Sequence, residues 1–155
     1  MKNVESINIL YIDDEPHNLV AFKATFRKDF NIFTAETPSI GKQILADNKI
    51  HILIVDQRMP EMTGTEFLAS ILETYPEPIR ILLTGYSDIN AVIDAINKGQ
   101  VYRYLSKPWD ENDIRLVINN AYELFTLKAE NKQLLKTLQE VNQQLEFMIR
   151  QKLLS

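Results

Sequence analysis

Five polar side chains stand where apolar runs stop. Asp13 and Asp14 follow INILYI (7–12), Asp56 follows ILIV (52–55), Thr84 follows IRILL (79–83), and Lys107 comes just after VYRYL (101–105). Clustered carboxylates repel one another, and a divalent cation relieves that repulsion. Carboxylate oxygens with a backbone carbonyl and waters suit Mg²⁺, which prefers octahedral oxygen ligands. One carboxylate can then attack phosphorus and become an aspartyl phosphate. The transferred group carries charge on three equatorial oxygens, and Mg²⁺, an ammonium and a hydroxyl donor are what stabilise it. Each residue alone has a plainer reading. Asp13-Asp14-Glu15 suits a helix N-terminus, Asp56 and Thr84 suit caps or turns, and Lys107 suits a solvated surface. The right type at four of five strand ends is what points to a site.

The elements that must position these groups follow from the pattern. Ile50–Pro60 (IHILIVDQRMP) holds a β-branched run with no polar alternation, the mark of a strand buried on both faces of a parallel sheet. Ile7–Ile12, Asn31–Ala35, Ile50–Val55, Ile79–Leu83 and Val101–Leu105 read as five strands. Between them lie helical spacings: Leu19, Phe22 and Phe26 after Pro16; Ile40, Ile44 and Leu45 after Thr37-Pro38; Phe67, Leu68, Ile71 and Leu72 after Thr63-Gly64-Thr65; and Ile89, Val92, Ile93 and Ile96 after Ser87 or Asp88. Gly99 supplies a C-terminal stop. The fifth helix has Asp110 as N-cap, Asp113 near the positive end of the dipole, and a Trp109–Ile114 staple. Strands alternating with helices imply an α/β fold with right-handed crossovers. The polar strand ends then share one edge, where open α/β sheets place ligands. No GxGxxG follows any strand, which argues against a dinucleotide site.

The totals narrow the function. The chain has 155 residues, 45% hydrophobic and 25% charged, with a net charge of −4 and no cysteine. Disulfides, thiolate metal sites and cysteine nucleophiles are excluded. The charge balance does not suggest nucleic acid or an anionic membrane as a partner. No apolar run is long enough to span a bilayer, and MKNVESIN has no signal core, so a cytoplasmic location is expected. His17 and His51 read as structural.

Asp13-Asp14, Asp56 with Met59-Pro60 and Gly64, Thr84-Gly85, and Lys107-Pro108 resemble the receiver domain of bacterial two-component response regulators over roughly residues 5–125. The resemblance implies a flavodoxin-like, doubly wound five-stranded sheet of order 2-1-3-4-5. It implies Asp56 as phosphoacceptor and a Mg²⁺ site of Asp14 directly, Asp13 mainly through water, Asp56, and the backbone carbonyl of Arg58. Thr84 and Lys107 would bind phosphoryl oxygens, and Tyr104 matches the family's switch aromatic. Lys107-Pro108 is expected to be cis. Phosphorylation would draw Thr84 inward and let Tyr104 turn in, a two-state repacking read by the face made of helix four, strand five and helix five. Arg58 and Tyr86 lie two residues beyond Asp56 and Thr84; both should overhang the phosphoryl group and set its lifetime. The implied partner is a sensor histidine kinase or a phosphotransfer protein.

Beyond Ala121 no strand or turn signal appears, and neither glycine nor proline occurs from Trp109 onward. Leu124, Leu127, Asn131, Leu134, Leu138, Val141, Leu145, Met148 and Lys152 alternate steps of three and four, a heptad seam. Helix five is expected to run on to near Leu153, on the order of 60 Å from Asp110 at about 1.5 Å per residue. The division expected is a receiver over 1–122 and a helical extension over 123–155, forming a homodimer through a parallel coiled coil. Asn131 at an a position would fix its register. The alternative is that the stripe packs back on the domain or on an output domain. The pattern is still running at Leu153-Leu154-Ser155, so an output domain follows or the coiled coil is the output. With no helix-turn-helix and no dense basic cluster, direct nucleic-acid binding and membrane binding are not expected.

Two other readings use the same residues. A phosphohydrolase of the haloacid-dehalogenase type wants a second acid two residues after the nucleophile, and Arg58 stands there. An inactive, purely dimerising scaffold would not need Asp13, Asp14, Asp56, Thr84 and Lys107 together. A phosphoacceptor signalling domain, rather than an enzyme, is the reading that uses them all.

Overall fold

A computed structural model describes residues 6–85 and 88–155. Five strands, β1 (Asn8–Ile12), β2 (Asn31–Ala35), β3 (Ile52–Asp56), β4 (Ile79–Thr84) and β5 (Arg103–Ser106), alternate with α1 (Pro16–Phe26), α2 (Pro38–Asp47), α3 (Gly64–Ile71), α4 (Ile89–Asn97) and α5 (Glu111–Leu154). All neighbours are parallel, in the order β2-β1-β3-β4-β5. The expected flavodoxin-like sheet is present.

Strand residues alternate between two cores because successive side chains leave opposite faces. Ile9, Ile52, Ile54, Ile81 and Leu83 pack with Phe22 and Phe26 of α1 and with Ile114, Val117, Ile118 and Ala121 of α5. Leu10, Ile12, Leu53, Val55 and Leu82 pack with Leu45 of α2, Phe67 and Leu68 of α3, and Val92 of α4. β3 is buried at every position, as an all-apolar central strand must be.

Helix starts follow their chemistry. Thr37 and Thr63 accept hydrogen bonds from Ile40 N and Glu66 N, and Asp110 accepts from Asn112 N. α1 opens on Pro16 without a side-chain cap. Gly99 takes φ +73, the left-handed conformation that ends α4.

Strand starts lie later than the apolar runs suggest. Asn8 N donates to His51 Nδ1 and His51 N to Asn8 O, both at 2.9 Å, so β3 enters its ladder only at Ile52. Similarly, Tyr102 N reaches Arg80 O, and β5 proper begins at Arg103. β3 and β4 carry the pattern one residue further at their other ends, so that Asp56 and Thr84 are themselves strand residues.

α5 is one helix of 44 residues, matching the expected extension. Its first third carries core residues, Ile114, Val117, Ile118 and Ala121. Leu124, the first residue of the heptad seam, and Phe125 still pack against the α1–α5 side of the domain. From Leu127 on, the seam stands in water: Leu134, Leu138, Val141, Leu145 and Met148 are all exposed. No helix among the described residues is long and apolar enough to cross a membrane.

Candidate functional site

The ends of β1, β3, β4 and β5 meet at one edge of the sheet. Asp13 leaves β1 fully buried, and its backbone N–H is held by Ala35 O at 3.1 Å. A buried carboxylate must be hydrogen-bonded. Asp13 Oδ2 accepts from the Tyr11 hydroxyl at 2.6 Å and from Asn18 Nδ2 at 3.2 Å, and Oδ1 accepts from Glu15 N at 3.0 Å. Asp14 beside it is half-buried. Asp56 ends β3 and is 5% exposed. One carboxylate oxygen from each of Asp13, Asp14 and Asp56 lies within 4.8 Å of the others.

Lys107 is the counter-charge. Its Nζ is 2.8 Å from Asp56 Oδ1 and 3.6 Å from Asp13 Oδ2. Its backbone N–H donates to Thr84 O at 3.0 Å, which fixes the loop after β5 to the end of β4. The Lys107–Pro108 peptide is cis, as expected. The buried Thr84 hydroxyl donates to Gly85 O at 3.1 Å. Tyr104, on β5 opposite Leu82, is half-buried and packs against the α2–α3–α4 side of the core.

Charge in this pocket is frustrated. Burial pushes the Asp56 carboxyl above its ordinary value, Asp13 and Asp14 push it further, and only the hydrogen bond and charge of Lys107 oppose them. For Lys107, burial lowers the ammonium's value, but Asp56, Asp13 and Glu15 together outweigh that and raise it. Burial and Asp13 hold the Tyr11 phenol far above its ordinary range, so it acts as a fixed donor.

The loop after β3 is held tightly. Gln57 is buried; its amide Oε1 accepts from Thr65 N at 3.0 Å and its Nε2 donates to Thr65 Oγ1 at 3.2 Å. Gly64 folds back so closely that a Cβ there would lie 2.7 Å from Asp56 O. Only glycine permits this return. Arg58 projects outward, and its Nε donates to Asp88 Oδ2 at 2.9 Å, across to the start of α4.

Of the residues singled out in the sequence, Asp13, Asp14, Asp56 and Lys107 are brought together, and Thr84 borders them through its bond to Lys107. Tyr86 lies outside the described residues. Arg58 reaches Asp88, a residue the sequence marked only as a helix cap. His17 is exposed beside Glu15, away from the cluster. His51 is buried at the opposite end of β3, edge-on to Tyr122 and Phe125. Tyr11, Asn18 and Gln57 were missed. For Tyr11 a signal existed: two residues before Asp13 on a strand, it points to the same side.

The family model of the response regulator receiver domain matches residues 9–119. The chain belongs to this family. Receiver domains are phosphoacceptor signalling modules of two-component systems rather than enzymes in the ordinary sense. They bind Mg²⁺ through acidic residues and interact with histidine kinases or phosphotransfer proteins. The chain is 30% identical over 124 residues to the hydrogenase transcriptional regulatory protein HoxA of Bradyrhizobium diazoefficiens, covering 80% of this chain and 26% of that protein. It thus spans about a quarter of the length of the curated relatives it matches first. Among solved structures, a chain described as adenylate cyclase from Rhodopirellula baltica superposes with a TM-score of 0.82 at 31% identity, covering 84% of this chain and 98% of that one. The signal receiver domain of an HD domain-containing protein from Pseudomonas fluorescens Pf-5 gives 0.74 at 32% identity, covering 79% and 98%.

Proposed function

We propose that this receiver accepts a phosphoryl group on Asp56 from a histidine kinase or phosphotransfer protein, and passes the signal to a dimeric helix. The carrying observation is the buried Asp13–Asp14–Asp56 cluster with Lys107 Nζ 2.8 Å from Asp56. Three clustered carboxylates, two of them buried and paired with one lysine, fit a divalent cation. The residues that would hold Mg²⁺ are Asp13, Asp14, Asp56 and the Arg58 carbonyl; when bound, the ion neutralises charge on the transferring group. In the transfer, an Asp56 carboxylate oxygen bonds to phosphorus while the donor's histidine nitrogen or acyl oxygen leaves with its electron pair. Lys107 keeps Asp56 oriented beforehand and faces the phosphoryl oxygens afterwards.

Thr84 gives up its bond to the Gly85 carbonyl to donate to the phosphoryl group. Tyr104 then turns toward the space that Thr84 leaves, and the α4–β5–α5 face reports the change. Arg58 and Tyr86 screen the group from water and set its lifetime.

Residues 1–122 act as the receiver and 123–155 as its helical extension. The extension pairs as a parallel coiled coil with a second copy of this chain. What supports this is the row of exposed leucines from Leu127, interrupted at an a position by Asn131. The acceptor reading is tested by intact-mass spectrometry after incubation with Mg²⁺ and acetyl phosphate. A gain of one phosphoryl group, absent without Mg²⁺ and in Asp56→Ala, is expected. Repeated turnover of the donor without a stable adduct would point to a phosphohydrolase instead.

A further inference from the structure

Three of the helices announce themselves in one way. Thr37, Thr63 and Asp110 sit in extended backbone (ψ 155, 160 and 132) with their side chains bonded to first-turn N–H groups. α1 instead opens on Pro16 with no side-chain cap at Glu15, and α4 differs from all four. Asp88 holds its N-cap position and has the right side chain, yet its backbone stands at φ −110, ψ 13. Among the described residues, its carboxylate accepts nothing from the helix. An aspartate in that place is normally among the best caps, since it satisfies an orphan N–H and meets the positive end of the helix dipole.

What draws the carboxylate away is on another loop. Arg58 Nε donates to Asp88 Oδ2 at 2.9 Å. Arg58 is two residues beyond Asp56, on the loop that the Gln57–Thr65 bonds and the Gly64 return hold rigid. Its long side chain is 72% exposed, so it can swing without disturbing the core. One guanidinium thus ties the loop that carries the acceptor to the residue that should begin α4.

We propose that Asp88 is a positioning residue that alternates between Arg58 and the first turn of α4, and that a phosphoryl group on Asp56 drives it to α4. This rests on the reading of Asp56 as phosphoacceptor. The phosphoryl group brings about −1.5 to −2 charge and three strong acceptor oxygens. A guanidinium fork prefers such a partner, bidentate, to the single Nε–carboxylate contact it makes with the part-buried Asp88. Once Arg58 turns to it, the carboxylate of Asp88 is released to cap the first-turn N–H groups of α4, at Asn90 and Ala91, as an N-cap aspartate ordinarily does. Charge at the acceptor is thereby converted into order at the start of α4. The exchange runs beside the Thr84–Tyr104 repacking and uses none of its residues. It also makes Asp88 a brake on donor capture, because while it holds Arg58 that charge is turned away from an incoming phosphate dianion.

Two measurements on the full chain test this. The first needs no phosphorylation. In Arg58→Ala, Asp88 should move to its cap, and amide exchange over Asn90–Ile93 should slow by about fivefold, the usual worth of an N-cap. In Arg58→Ala with Asp88→Ala that protection should disappear. The second is the rate of phosphorylation by acetyl phosphate with Mg²⁺. Asp88→Asn, which can still cap, should lower the half-saturating donor concentration severalfold, with little change in the limiting rate. It should do nothing in an Arg58→Ala background. A merely structural Asp88 would change the rate alike with or without Arg58. Unchanged or faster α4 exchange in Arg58→Ala, or equal effects of Asp88→Asn in both backgrounds, would overturn the proposal. If the parent chain takes no phosphoryl group, the reading of Asp56 fails and the driven half of the proposal fails with it. The exchange data still decide whether Asp88 has two partners.

Discussion

At the acidic edge of the sheet, carboxylate oxygens of Asp13, Asp14 and Asp56 crowd within 4.8 Å, and one lysine pairs with two of the three carboxylates. Along α5 beyond Leu127, leucines that would be core elsewhere stand half or more in water. The two regions lie in one chain and share a helix with the same core, yet each leaves a different demand unmet. At the edge the surplus is negative charge, with two of its three carboxylates buried. On the tail the surplus is apolar area, in a place with no facing surface. The first would be relieved by a small cation and, on the proposed reading, after phosphorylation by a rearranged shell of donors. The second would be relieved by a facing apolar surface, in the proposed function the tail of a second copy.

Separating the two demands gives the largest expected effect. Leu134→Glu with Leu138→Glu should abolish self-association and leave the acidic edge intact. Burying a leucine contributes about 1.5–3 kcal/mol, and the seam would bury two per chain on two chains. The dimer should therefore weaken by at least about a thousandfold, read by light scattering across a concentration series. Phosphorylation by acetyl phosphate should continue. Persistence of the dimer would move the interface off the seam.

Mg²⁺ should act on the edge alone. Urea denaturation with the cation at about a hundred times its dissociation constant should show about 2.7 kcal/mol of added stability. Most of that should be lost in Asp14→Asn, with no change in the tail's association. Equal stabilisation of parent and variant would place the cation elsewhere.

The smallest effect concerns pH. Asp56 holds its proton in the folded chain to a higher pH than an ordinary aspartate, whose value is 3.8. The folded state therefore binds more protons than the unfolded one just above that value, and stability falls as pH rises through the window. Without Mg²⁺, Asp56→Asn should be more stable than the parent at pH 7. The difference should shrink as pH falls and vanish only well below 3.8, where Asp56 is protonated in both states. A less stable variant at pH 7 would mean that the Lys107 contact dominates the balance.

The sheet was legible in the sequence because buried parallel strands are apolar at every position, and Ile52–Val55 has no other reading. The acidic edge was legible because the strand ends carry their polar residues in order. Strand starts were less so: His51 and Tyr102 bond to neighbouring backbone without joining the ladder proper, and apolar pattern does not distinguish the two. The partners of Asp13 were hidden for a related reason. Tyr11 and Asn18 read as strand and helix residues, and only the fold brings them onto one carboxylate. Asp88 was legible as a cap by type, but its diversion to Arg58 depends on a loop thirty residues away in the chain. The start of the exposed seam shifted too, since Leu124 fits the heptad and the domain core equally well and the core takes it.

The account stands most directly on Asp56 as the residue that takes the phosphoryl group. Borohydride reduction after incubation with Mg²⁺ and acetyl phosphate converts an aspartyl phosphate to homoserine, and peptide mass spectrometry locates the change. The prediction is homoserine at position 56 and nowhere else, dependent on Mg²⁺. Reduction at Asp13 or Asp14, or none anywhere in a chain shown to bind the cation, would contradict it.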